Sequence, residues 1–264
     1  MELSLLLLTI GAYGLAIYYQ VRLLHAEELS RWAGFFTYLA FSLQTLALLE
    51  KTIAERGFPG GTLYGWILFF TWLAALVYLV GQKGALRNGG IFLLPILASF
   101  LLVALLLPDK AAASPSPEGV WLWVHLSSIT LSYAALTFAA LTALMYMHEE
   151  QALKWKMFGA FYRRFPPLAE LDVWTRRALW FGWVTLTVGI AAGSIWGKIV
   201  WGSFWDWNLK EVWTLLDWVL FAMALGGWGY LTGRKKVFLV MLAYVVLLVN
   251  VFGIDILAGP HRYF

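Results

Sequence analysis

Eight stretches of mostly apolar residues follow one another along the chain, at roughly 2–22, 32–53, 62–82, 91–107, 119–147, 178–197, 212–231 and 237–257. An α-helix needs about 20 such residues to cross the hydrocarbon core of a bilayer. Only helices and closed barrels satisfy every backbone polar group inside lipid. Continuous runs without strict alternation specify helices. The expected fold is therefore all-α: a polytopic membrane bundle of about eight transmembrane helices. Composition agrees, with 61% hydrophobic and 13% charged residues, where an average soluble domain is about 25% charged. The fourth stretch is the shortest and contains Pro95. The first lacks a basic leader and a small-residue cleavage site, and reads as a mature helix rather than a signal peptide.

The same composition excludes several functions. A formal charge of +4 is what basic cytoplasmic loops give a membrane protein, so nucleic acid is not the expected partner. The absence of cysteine removes disulfides, thiolate metal sites and cysteine nucleophiles from this chain. There is no phosphate-binding glycine loop, no Ser/His/Asp arrangement and no HExxH.

Orientation follows from the loops. Those after helices one, three, five and seven hold Arg22, Arg31, Lys83, Arg87, Lys154, Lys156, Arg163, Arg164, Arg176, Arg177, Arg234, Lys235 and Lys236; the rest hold Lys51, Arg56, Lys110, Lys198, Lys210 and Arg262. Cytoplasmic loops carry the excess of Lys and Arg, which puts both termini outside. The chain reads as one membrane domain, 1–264. Its N-terminal helices, 32–118, end in an Ala/Ser/Pro-rich external connector, and a second part spans 119–264. The basic stretch 149–177 reads as a cytoplasmic loop.

One outer loop stands apart. GSIWGKIVWGSFWDWNLKEVW places Trp196, Trp201, Trp205, Trp207 and Trp213 close together, with Asp206, Lys210 and Glu211 among them. Helical spacing sets Trp201, Trp205 and Lys198 on one face. An interfacial aromatic belt is the simple reading. A stacking platform for a large flat ligand accounts better for the density and for charges of both signs. Of the four histidines, His125 and His261 fall on the same side as this loop, and His25 and His148 on the other. A planar macrocycle held by two axial imidazoles fits that arrangement, and haem accepts such ligands.

WGSFWDWNLKEVW resembles the tryptophan-rich "WWD" signature, WGxxWxWDxKExW, of the haem-handling membrane proteins of cytochrome c biogenesis. VWLWVHLSSITLSYAALTFAALTALMY, FPPLAELDVWTRRALWFGWVTLTVGIAAGSIW, VNVFGIDILAGPHRYF and FPGGTLYGWILFFTW extend the likeness over roughly 35–264. The count of eight helices resembles the CcsA/ResC and HemX-type members. The resemblance implies haem b at the outer face. His125 and His261 would be its axial ligands, and Trp196, Trp201, Trp205, Trp207, Trp213, Asp206, Asn208 and Lys210 would surround it within a haem-handling core at 119–264. It implies a carrier and presenter rather than a turnover enzyme, in the inner (cytoplasmic) membrane. Apocytochrome c would be the recipient, and a separate CcsB/ResB-type protein the partner. A HemX-like regulator of haem biosynthesis, or a transporter of another hydrophobic substrate, are the competing functions.

This sequence departs from the family at three places. Asn208 stands where the family has Asp, with Asp206 nearby, and Leu209 where it has Pro. Gln44 stands where CcsA-type proteins carry a histidine fitting an internal haem. A single outer haem is therefore expected. Lys198, Lys210 and Arg262 are candidate partners of propionates or of loop carboxylates. Asp217 is expected to anchor the loop rather than to move protons, while Glu50 and Asp255 carry no firm assignment.

Overall fold

The computed structural model describes residues 2–23, 30–55, 62–81, 89–107, 119–156, 162, 166–231 and 233–253. Among them are eight α-helices: α1 (Glu2–Leu23), α2 (Ser30–Glu55), α3 (Leu63–Gly81), α4 (Gly90–Ala104), α5 (Val120–Trp155), α6 (Leu168–Trp201), α7 (Leu209–Gly226) and α8 (Arg234–Leu248). A 3₁₀ turn follows α7, and a wide π-turn, Val249–Gly253, follows α8. No strand occurs among the described residues. Five helices, α1, α2, α3, α5 and α6, are long and apolar enough to cross a membrane, and α4 is apolar but shorter. The all-α membrane bundle expected from the apolar runs is the fold.

The stretch 149–177 differs from the expected loop. α5 continues to Trp155 and α6 begins at Leu168. HEEQALKW is rich in helix formers, and Glu150 pairs with Lys154 one turn on at 2.9 Å. Such i,i+4 pairs carry a helix through polar sequence.

The chain divides into two compact units. One comprises 1–111 with 148–170. Here α1 presents Leu6, Thr9, Tyr13, Ala16 and Gln20, and α2 presents Ala33, Thr37, Ala40, Gln44, Ala47 and Lys51, all buried. Both sets alternate steps of three and four, the spacing of a left-handed helix seam. The alanines let the backbones approach closely, as small residues do in membranes. At its centre Tyr13 Oη donates to Gln44 Oε1 at 2.9 Å. Gln44 Nε2 donates to Leu68 O at 3.2 Å and Thr71 Oγ1 at 2.7 Å. Gln44 thus spends its whole amide on joining α1, α2 and α3.

The other unit comprises 112–147 with 171–264. Within it α5 and α6 run antiparallel in step. A Cβ on Gly182 would lie 2.7 Å from Leu136 Cγ, and one on Gly189 2.7 Å from Ile129 Cγ1. Real Cβ atoms do not approach that closely, so glycine sets the helix separation here. Ser132 Oγ donates to Gly182 O at 2.7 Å. α6 meets α7 through Trp183 and Trp218, whose ring centroids are 5.0 Å apart. Trp183 Nε1 donates to Trp218 O at 3.2 Å, and Trp218 Nε1 to Thr187 Oγ1 at 2.8 Å.

Candidate functional site

His125 lies one turn into α5, half-buried, in a notch that glycines of α6 open. Its Nδ1 is 2.7 Å from the carbonyl oxygen of Gly189. A carbonyl only accepts, so Nδ1 carries the proton, and in the neutral ring Nε2 keeps its lone pair. This is the arrangement by which proteins orient a metal-binding imidazole. One turn further along α6, a Cβ on Gly193 would lie 2.5 Å from the same Nδ1. The GIAAG segment thus supplies both the acceptor and the room. Gly189 and Gly193 stand four residues apart in the sequence, a spacing that sequence reasoning did not connect with His125.

The tryptophan segment is a short clamped connection rather than a helical face. α6 ends at Trp201 because Gly202 takes φ +84, a left-handed conformation that glycine adopts without strain. The Gly202 N–H closes onto Lys198 O at 3.2 Å, as in a helix-ending αL turn. Lys198 Nζ returns to Gly202 O at 2.6 Å and stands over the Phe204 ring. The expectation that Trp201 and Trp205 share a helical face is corrected here, since the helix stops between them.

The far end is held by a cap. Asn208, in extended conformation, is the N-cap of α7, and its Oδ1 accepts from Glu211 N at 2.9 Å. Glu211 Oε2 reaches back to accept from Asp206 N at 2.9 Å. Asp206 also accepts from the Ser203 hydroxyl. This is a capping-box logic, and Asn serves as N-cap about as well as Asp. The departure at position 208 therefore keeps the cap. Between the clamps Trp207 sits at φ 56, a conformation that costs a non-glycine residue roughly 1–2 kcal/mol. It is 71% exposed, and Trp201 and Phe204 are exposed too.

Trp196 lies edge-on to Trp201 at 4.9 Å, and Trp205 edge-on to Trp207 at 6.1 Å. Trp213 is half-buried in the first turns of α7. Trp205 Nε1 is buried and has no acceptor among the described residues. Lys210, half-buried on α7, acts electrostatically on the His125 ring. Asp217 accepts from Asn250 at 2.7 Å, so its partner is on the turn after α8 rather than in the loop. His25, His261, Asp255 and Arg262 lie outside the described residues.

Long apolar helices, one opening with an oriented imidazole and two joined by a doubly clamped aromatic connection, define a polytopic membrane protein. Residues 61–261 match the family described as Cytochrome C assembly protein, and the chain belongs to that family. It is 31% identical to the cytochrome c biogenesis protein CcsA of Guillardia theta, over 86% of this chain and 83% of that protein. It is 26% identical to the CcsA of Drimys granadensis, over 98% of this chain and 92% of that one. It is 25% identical to the CcsA of Arabidopsis thaliana, over 94% and 92%. The type is thus CcsA, and the role is in cytochrome c biogenesis.

Proposed function

We propose that this protein holds haem b at the external face of the inner membrane and presents it to apocytochrome c. The observation that supports this most is the Nδ1 of His125 spent on Gly189 O at 2.7 Å, which leaves Nε2 as the ring's ligating atom. The residues fit such a group in two further respects. The Trp205 indole N–H has no acceptor among the described residues, and a propionate oxygen would supply one. Trp201 and Trp207 offer exposed aromatic faces suited to a planar ring.

In this reading His125 and His261 would hold the haem iron. Trp196, Trp201, Trp205, Trp207 and Trp213 surround the ring edge, Asp206 and Asn208 hold the connection in shape, and Lys210 faces a propionate. The haem, when bound, supplies the vinyl groups that react with the thiols of a CxxCH segment. This chain would bind the group and present it to the recipient. The core at 119–264 does this work, with the tryptophan connection and both termini outside, and a CcsB/ResB-type protein is the partner.

The test is an absorption spectrum of the detergent-purified protein after haem supply. A Soret band of bis-imidazole character that changes in His125→Ala is expected. No chromophore in the wild-type protein, with the chain folded, overturns the reading.

A further inference from the structure

Asp217 is 0% exposed and Asn250 2%. They join α7 to the wide turn after α8. Asn250 Nδ2 donates to Asp217 Oδ2 at 2.7 Å and reaches Thr214 Oγ1 at 3.3 Å. The Thr214 hydroxyl itself is turned to Lys210 O at 2.8 Å. Two buried oxygens remain with no donor among the described residues, Asp217 Oδ1 and Asn250 Oδ1. Both belong to the same pair, and both only accept. Turning the amide end for end would not help, because it sets its carbonyl against the carboxylate.

No described cation neutralises the pair. On α7, Lys210 and Glu211 lie about two turns toward the N-terminus, and Glu211 is engaged by Asp206 and Asn208. On α8, Arg234, Lys235 and Lys236 occupy the opposite end of the helix, and Lys236 pairs with Asp172 at 2.9 Å. On α6, the residues hydrogen-bonded to Trp218 of α7 are the neutral Trp183 and Thr187. An isolated negative charge and two orphan acceptors in a water-poor interior are costly, and a buried charge is normally neutralised or paired. One positive charge between the two oxygens removes both defects. The turn Val249–Gly253 is of the rare π type that recurs at functional positions.

We propose that Asp217 and Asn250 form a buried site for one monovalent cation, a proton or an alkali ion such as sodium, held between Asp217 Oδ1 and Asn250 Oδ1. A proton there makes the side chain a carboxylic acid that donates to the Asn250 carbonyl and closes a cyclic acid–amide pair. An alkali ion takes the same two oxygens, hard donors of the kind such ions prefer. The site goes beyond the binding of haem and does not depend on it.

Infrared spectra of the full-length protein in detergent decide it, with aspartate carrying ¹³C at its carboxyl carbon. In choline buffer at neutral pH, a labelled carboxylic-acid C=O band that shifts in Asn250→Ala identifies the proton. A labelled carboxylate band that shifts when sodium replaces choline, and loses that response in Asn250→Ala, identifies the alkali ion. Asp217→Glu, which keeps an acid but moves the label out of the site, removes the band in either case and covers the risk that Asp217→Asn does not fold. An ionised band indifferent to sodium overturns the proposal, as does an acid band unchanged in Asn250→Ala.

Discussion

Gly193 and His125 meet so closely that even a methyl group on α6 would displace the ring, since its Cβ would lie 2.5 Å from Nδ1. Positioned ligands tolerate only about 0.5 Å of error. Gly193→Ala is therefore expected to lower haem retention severalfold with His125 intact. Gly11→Ala, where a Cβ meets nothing within 4 Å, leaves retention unchanged; haem-to-protein absorbance ratios measure both. By the same measure His125→Ala and His261→Ala lose haem, whereas His148→Ala retains it, because His148 is on the far end of α5 from His125. Loss with His148→Ala alone would refute the external site. Asn208→Ala removes the α7 cap and is expected to cost about 1 kcal/mol of stability, while Asn208→Asp costs little; thermal unfolding in detergent compares them. His125 and the tryptophans stood out in the sequence by type and density. The cap at Asn208 did not, because an N-cap is recognised by where its helix starts, and the apolar run alone put that start near 212 rather than at Leu209.

At the scale of the helices, apolar run length predicted α1 to α4 to within three residues at each end, whereas α8 ends at Leu248 rather than near 257. It failed at 149–177, where charged residues continue a helix instead of ending it. It also gave no account of which face of a uniformly apolar helix packs inward. The three-and-four spacing of Ala33, Ala40, Ala47 and their neighbours becomes informative only once burial is known. Gln44 illustrates this. From sequence it is a missing histidine; in the fold it donates twice and accepts once across three helices. Gln44→Leu leaves the Tyr13 hydroxyl without its acceptor in a buried seam, a loss of roughly 1–3 kcal/mol, measurable as earlier thermal unfolding. The wild-type protein is expected to carry at most one haem per chain, since no imidazole among the described residues occupies this junction. A pyridine haemochrome assay near two haems, falling when His25 or His148 is changed, would show otherwise.

For the whole molecule, the asymmetry of basic residues predicts that a cysteine at position 203 labels with a membrane-impermeant thiol reagent in intact cells and one at position 235 does not. The reverse pattern would invert the topology. Order along the chain carries a different consequence. Both helices of the α1–α2 seam have been made by Glu55, and their apolar seam residues can meet as soon as both are in the membrane. The two amide hydrogens of Gln44 have their acceptors on α3, at Leu68 and Thr71. A donor left unmet in hydrocarbon costs several kcal/mol. Gln20 of α1 likewise donates to Tyr78 Oη on α3 at 3.3 Å. During synthesis the early hairpin therefore waits with two amides short of their acceptors, and the arrival of the third helix is the event that settles both.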